Sequence, residues 1–186
     1  MTLLAKICLL GDREVGKTSL INRYLGKGFT TEYTPTLGSD FKSKQVSLDT
    51  EFGSKDIRFQ IWDLAGQPAF DQVRRLYYKG SAGAFIVFDL TQPESLENME
   101  RWLKEFSKNI ELPSSSIIVL GNKMDLEYEI KVSSETVKHY IDNYLTNKFP
   151  NIDSQIDYYT TSAKTGMNVD QAFSALGEKI FYKLNQ

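Results

Sequence analysis

At 186 residues, 41% of them hydrophobic, the chain is long enough to bury a sizeable core and short enough to be one domain over 1–186. Its net charge of −2, with 22 Lys and Arg against 24 Asp and Glu mixed along the chain, argues against nucleic acid as a partner, which would demand a basic face. A single cysteine, Cys8, excludes a disulfide framework and fits a reducing compartment, and no apolar run approaches the length of a membrane span.

The chain opens with a nearly continuous apolar run, Leu3 to Leu10, interrupted only by Lys6. It reads as a buried parallel strand and not as a signal peptide, because it runs straight into Gly11-Asp12-Arg13-Glu14-Val15-Gly16-Lys17-Thr18. That segment is a complete phosphate-binding loop of the form G-x-x-x-x-G-K-[ST]. Its glycines let the backbone curl until several N–H groups point at one anion. Lys17 adds a point charge for the outer phosphates, and Thr18 offers a hydroxyl to Mg²⁺. The loop and the start of the next helix, Glu14, Val15, Gly16, Lys17, Thr18 and Ser19, form the expected phosphate cradle. Leu20, Ile21, Tyr24 and Leu25 then recur at helical spacing, supplying the strand–loop–helix context that the motif needs.

Gly26 to Gly38 is polar, rich in Thr and contains Pro35, so it reads as a loop. Two strands follow, Phe41–Leu48 and Ile57–Trp62, with Asp49–Asp56 as a hairpin connection around Gly53. A loop holding Gly66 and Pro68 leads to a short helix ending near Tyr78, then to a buried strand, Gly83–Asp89. Pro93 and Glu94 suit the first turn of a helix that continues through Trp102, Leu103 and Phe106. Ile117–Leu120 is another buried strand. Ser133 or Ser134 caps a helix reaching about Phe149, on which His139 is a solvated residue without a catalytic role. Ile156–Thr160 is a short strand. Asn168, with Gln171 three residues on, opens a last helix bearing Val169, Ala172, Phe173, Leu176, Ile180 and Leu184 on one face. Strand and helix alternate throughout. The expected fold is therefore α/β: a P-loop NTPase three-layer sandwich with a six-stranded, mostly parallel sheet, one antiparallel edge hairpin and about five helices.

Ligands of such sheets bind beyond the carboxyl ends of the strands, so the residues that end each strand are the candidates. Asp63, directly after the Ile57–Trp62 strand, holds the position of a carboxylate that orients Mg²⁺ or its water. Gly66 gives a backbone N–H room to approach the terminal phosphate. Gln67 carries both a donor and an acceptor and can position an attacking water. Asn122-Lys123-Met124-Asp125 follows one strand and Thr161-Ser162-Ala163-Lys164 another, which suggests a base-reading pocket. Its chemistry favours guanine. A carboxylate at Asp125 can accept from guanine N1–H and the exocyclic amine together, whereas adenine would leave it buried and unpaired. Sites of this kind discriminate by roughly 10⁴-fold or more. A backbone N–H near Ala163 and Lys164 is placed to donate to the guanine carbonyl, and the long stems of Lys123 and Lys164 to cover the base plane.

Together these segments resemble the Ras superfamily of small GTPases over essentially the whole chain. Thr36-Leu37-Gly38-Ser39-Asp40-Phe41, Phe59 to Gln67, Leu76-Tyr77-Tyr78-Lys79-Gly80 and Asn122 to Leu126 are most similar to the Rab family, with Ser39 and Pro68 departing from it. The resemblance implies a GDP/GTP switch with Mg²⁺ bound by Thr18, Thr36 and Asp63. Hydrolysis is carried by Gln67, Lys17 and Thr36. Thr36, next to Pro35, is the switch threonine that senses the γ-phosphate, and Phe29 packs across the guanine edge. Phe41, Trp62 and Tyr77 match the aromatic cluster beneath the effector surface, although core packing explains Phe41 and Trp62 equally well. Effectors, an exchange factor and a GTPase-activating protein are the implied partners of a monomer working in membrane trafficking or signalling. A guanine-nucleotide-binding module with little hydrolysis is the alternative; a kinase or ATPase on the same loop fits Asn122-Lys123-Met124-Asp125 poorly.

Three departures from the family pattern matter. Arg13 and Glu14 stand where small residues are usual. Arg13 either blocks an incoming arginine finger, acts as a finger in cis, or points to solvent paired with an acid. The demands of a fixed productive geometry favour the first or last of these. Pro68 pushes Gln67 toward extended backbone, and slow intrinsic hydrolysis is expected. Thr2 does not fit a myristoylation signal and Leu184-Asn185-Gln186 carries no cysteine to prenylate, so the chain is expected in the cytoplasm without an anchor of its own, reaching membranes through partners or a lipidated tail.

Overall fold

The computed structural model describes residues 2–31, 34–51, 53–110, 115–149 and 156–185. Among them, six strands form one sheet in the order β2-β3-β1-β4-β5-β6. β1 (Leu3–Leu10), β3 (Gly53–Leu64), β4 (Gly83–Asp89), β5 (Ser116–Asn122) and β6 (Asp157–Thr160) run parallel, and β2 (Ser39–Thr50) pairs antiparallel with β3. The apolar run of β1 follows from its place between β3 and β4, where both faces are covered. Ala5, Ile7 and Leu9 enter one core cluster and Cys8 and Leu10 the other.

The first cluster packs under α1 (Lys17–Tyr24) and α7 (Val169–Leu184). Phe173 sits at its centre, stacked 3.7 Å from the Tyr24 ring and 4.8 Å from that of Phe85. Truncating a ring so buried to Ala would cost about 3–5 kcal/mol. Gly177 lets α7 approach closely: a Cβ there would lie 2.9 Å from Leu48 and 3.1 Å from Phe59. The second cluster lies on the opposite face. It gathers Trp102, Leu103 and Phe106 of α4 (Met99–Ser107), Leu96 of α3 (Pro93–Glu97) and Val137 of α5 (Ser134–Tyr140). These are the three layers expected.

Local detail departs from expectation in four places. The connection expected over Asp49–Asp56 is mostly ladder, since pairing runs from Ser39↔Leu64 to Thr50↔Gly53. This is an edge ribbon, largely open to solvent, so no apolar alternation marks it; cross-strand bonds hold it instead. Ser47 donates to Asp56 Oδ1 at 2.7 Å and Thr50 to the Gly53 carbonyl at 2.7 Å. The helix expected from Pro93 breaks at Asn98, whose side chain turns to Asp12. The helix capped by Ser133, whose hydroxyl accepts from Thr136 N–H, widens into a π-helical turn at Ile141–Leu145 before α6 (Thr146–Lys148). That turn keeps both Ile141 and Leu145 in the core. Finally, Asn168 does not cap α7 with its side chain. It sits in the left-handed region (φ 55°), and its amide donates to the Thr160 carbonyl at 2.7 Å, tying the helix to the end of β6.

Cys8 is fully buried with its sulfur 3.2 Å from the Ser81 hydroxyl, and burial pushes its thiol up to about 11. Thiolate is the reactive form, so the folded protein should resist a disulfide reagent at about pH 8 and titrate one thiol only after denaturation. Rapid stoichiometric labelling of the native protein would contradict this packing.

Candidate functional site

The carboxyl ends of β1, β3, β5 and β6 meet at one edge of the sheet, around a cleft of about 670 Å³. The loop after β1 forms its floor. Gly11 has φ 143° and a Cβ there would come within 2.2 Å of the Val87 carbonyl; Gly16 has φ 100° and its Cβ would strike the Asn122 amide at 2.2 Å. Both positions are therefore closed to side chains, and the loop backbone lies flat against β4 and β5. α1 starts at Lys17, and its first turn, Lys17, Thr18 and Ser19, lines the cleft. The Lys17 side chain is buried and folds back over the loop, donating to the Gly11 and Asp12 carbonyls at 2.7 Å each. Burial pushes its ammonium down to about 8, against the pull of Asp63 and Asp12.

Thr18, Thr36 and Asp63 converge beside it. Thr18 Oγ1 donates to Asp63 Oδ2 at 2.5 Å, and the Thr36 hydroxyl lies 3.0 Å from that of Thr18 and 3.5 Å from the same carboxylate oxygen. Asp63 is buried, its Oδ1 has no hydrogen-bond partner among the described residues, and desolvation raises its pKa. Hydroxyls around a buried carboxylate with an orphan oxygen form a hard-oxygen donor set. One carboxylate and two hydroxyls are too few to cage Mg²⁺ alone, but they suit an ion that takes its other ligands from phosphate and water. Among the described residues, no group of three or more His, Cys, Asp or Glu is placed to hold a metal ion.

At the other end of the cleft, Asn122 closes β5. Its Nδ2 donates to the Val15 carbonyl at 2.9 Å, while its Oδ1 accepts from Ala163 N–H at 3.2 Å and Thr161 Oγ1 at 3.3 Å. The Ala163 N–H, one of the two near which a donor to the base carbonyl is expected, is thus bonded to Asn122. Lys123 adopts φ 71° and pairs with the buried Asp89 at 2.6 Å, which fixes its stem along the cleft wall. Asp125 accepts from the Ser162 hydroxyl at 2.6 Å, with Lys164 Nζ 3.9 Å away. Arg23 of α1 grips the same loop from outside, donating to the carbonyls of Ala163 (2.7 Å) and Lys164. Phe29 is 41% exposed at the cleft mouth, and Ser19 lines the cleft. Val15 is buried in the core, and Pro35 is exposed and does not line the cleft.

Gly66 and Gln67 both line the cleft. Gly66 packs against the phosphate loop, where a Cβ would lie 2.5 Å from Arg13 N and 2.6 Å from the Gly11 carbonyl. Arg13 pairs with its neighbour Glu14 at 2.9 Å, with the two side chains 67% and 43% exposed, the solvent-facing arrangement among the three considered. Residues that sequence reasoning passed over also hold the site. Asp12, Arg23 and Arg74 each bond to partners remote in the chain, so no local pattern marks them. Outside the cleft, Phe41, Trp62 and Tyr77 lie in a row of tilted rings with centroids 5.2 and 4.8 Å apart, and Phe41 remains 45% exposed. Trp62 Nε1 is buried there without a partner among the described residues.

Comparison with known proteins agrees with this geometry. The Ras family profile matches residues 6–182. Ras-related protein Rab-13 of Rattus norvegicus is 36% identical over 180 residues, covering 97% of this chain and 81% of its own. Ras-related protein Rab-8B of Homo sapiens is 37% identical over 186 residues, covering 98% and 81%, and Ras-related protein Rab-8 of Diplobatis ommata is 38% identical over 186, covering 98% and 80%. The chain belongs to the Ras family: it is a Rab-like small GTPase, a trafficking switch that binds GDP and GTP and hydrolyses GTP.

Proposed function

We propose that one domain, 1–186, binds GTP with Mg²⁺ across this cleft, and that Lys17, Thr36 and Gln67 carry the hydrolysis. The observation that bears most weight is the Thr18–Thr36–Asp63 cluster at the phosphate end, 18 to 45 residues apart in the chain yet sharing one buried carboxylate oxygen. On this reading, Thr18, Thr36 and Asp63 hold Mg²⁺ directly or through water. When bound, the ion offsets charge on the phosphate oxygens. Glu14 to Ser19 supply N–H groups to the phosphates. Lys17 turns from the loop carbonyls to the outer phosphates, and Gln67 orients the attacking water. Asp125, held by Ser162, reads the guanine edge; Lys123 and Lys164 cover the base; Phe29 closes the mouth.

The Phe41–Trp62–Tyr77 row is proposed as the effector surface, with an exchange factor and a GTPase-activating protein as further partners. Among the described residues no helix is long and apolar enough to cross a membrane. A cytoplasmic location fits the free, buried Cys8.

Two experiments test the assignment. Single-turnover hydrolysis of GTP by Gln67→Leu should slow by about tenfold or more, while nucleotide affinity stays within about threefold. An unchanged rate would remove Gln67 from the mechanism. Arg13→Gly should leave the intrinsic rate within about threefold, and a marked drop would instead assign Arg13 to the reaction as a cis finger. The second experiment concerns Asn122. Its removal orphans the buried Val15 carbonyl and Ala163 N–H, so Asn122→Ala should cost about 2–4 kcal/mol of stability and speed GDP release by tenfold or more. Unaltered GDP release, read with a fluorescent nucleotide, would show that the cleft does not depend on this tie.

A further inference from the structure

Arg74, on α2 (Asp71–Leu76), is an arginine with a side chain only 1% exposed, and the hydrolysis scheme above does not use it. Its guanidinium makes a two-pronged pair with Glu105 of α4, Nε to Oε1 at 2.9 Å and the second nitrogen to Oε2 at 3.1 Å. Its remaining nitrogen donates to the Ala65 carbonyl at 2.6 Å and the Gln67 carbonyl at 3.3 Å. The guanidinium carbon lies 4.4 Å from the centre of the Trp102 ring. Tyr78 donates to Glu105 Oε1 at 2.7 Å, so the carboxylate is shared. Although burial opposes it, hydrogen bonding from Arg74 and Tyr78 holds the Glu105 carboxyl below its ordinary range.

The same helix holds the phosphate loop. Trp102 Nε1 and Arg101 donate to Asp12 Oδ1 at 2.8 and 3.0 Å, and Asn98, at the start of α4, donates to Asp12 Oδ2 at 2.7 Å. Gly66 lies between these two anchorages, packed on the loop backbone at Gly11 to Arg13. Its neighbours on both sides, Ala65 and Gln67, are the residues whose carbonyls Arg74 holds. Ala65 is held from the other direction too, its N–H donating to the Gly38 carbonyl at 2.9 Å.

A buried ion pair is weak evidence for stability, because apolar residues of similar volume often serve as well. Its geometry is what an apolar pair would not reproduce. A planar fork that stays charged can hold two carboxylate oxygens and two carbonyls at once. We propose that Arg74 is a positioning residue for GTP hydrolysis. By bonding the backbone on both sides of Gly66, it sets the direction in which the Gln67 side chain leaves, and α4 holds that segment in register with the phosphate loop through Asp12. The proposal rests on the reading of Gln67 as the residue that orients water.

The test replaces the whole buried polar unit: Arg74→Met, Glu105→Leu and Tyr78→Phe together, so that no orphaned charge or hydroxyl remains. The triple variant is made in the parent protein and in Gln67→Leu. Loaded with GDP, it should unfold within about 5 °C of the parent and release GDP at a rate within about twofold, because the cleft is intact. Single-turnover GTP hydrolysis should slow by about tenfold or more in the parent background and by less than about twofold in Gln67→Leu, since positioning acts only through Gln67. Hydrolysis within twofold of the parent, or equal slowing in both backgrounds, would overturn the proposal. If the triple variant does not fold, Arg74→Lys decides by the same comparison, since it keeps the charge beside Glu105 and loses the fork. Should Gln67→Leu alone hydrolyse at the parental rate, the reading of Gln67 falls and this inference with it. Should only the triple change be silent, this inference falls alone.

Discussion

The Asn122 side chain joins three backbone segments that the chain brings together from far apart. It bonds Val15 in the phosphate loop, and Thr161 and Ala163 beyond β6, from its own place at the end of β5. Buried amide groups must be paired, so none of the three segments can move without orphaning a partner. Gly16 is required by the same contact, because a side chain there would occupy the position of the Asn122 amide. The phosphate end and the base end of the cleft are thus spaced by one side chain. A ligand with phosphate at one end and base at the other meets both ends at a separation set before it binds.

The strands, their mostly parallel sense and most of the cleft residues were legible because each leaves a local trace. Buried central strands read as unbroken apolar runs, and the loops at their ends carry short motifs whose members are neighbours in the chain. Gly11 to Thr18 and Asn122 to Asp125 are of this kind. The edge ribbon left no such trace, since Asp49 to Asp56 is polar whether paired or looped and only its partner strand decides. Asn168 misled for a related reason. Its spacing to Gln171 matches a capping box, but the Thr160 carbonyl won its amide. Arg23, Asp12 and Arg74 are tertiary residues in the strict sense. Their partners lie 140, 90 and 31 residues away, and an isolated charge on a helix or in a loop looks the same whether solvated or buried.

Two buried charges share the floor of the cleft, and desolvation pushes both toward neutrality: the Lys17 ammonium downward and the Asp63 carboxyl upward. Each offers what an opposite charge would satisfy, a polyanion for Lys17 and a hard cation for Asp63. A nucleotide with its metal supplies both at once. Binding to the folded state alone then adds stability by mass action, so the loaded form is the robust one. The loop carbonyls that accept from Lys17 hold its ammonium in the cleft meanwhile, within reach of the phosphates it serves.

Ala65 links the two halves of the switch. Its N–H holds Gly38 at the end of the first loop, and its carbonyl is held by Arg74 at the root of the second. Thr36, two residues before Gly38, is tied to the cleft through hydroxyl contacts to Thr18 and Asp63 that a bound cation would replace. The backbone at Ala65 is fixed by groups outside the proposed nucleotide contacts, whereas Thr36 is held by groups within them. A change at the terminal phosphate would therefore act first on Thr36. It would reach Gln67 only through a segment anchored by the buried Arg74–Glu105 pair. Two-state behaviour needs such a contrast, one element free to respond and another rigid enough to respond against. In this chain the rigid element is α4 with the charges buried against it.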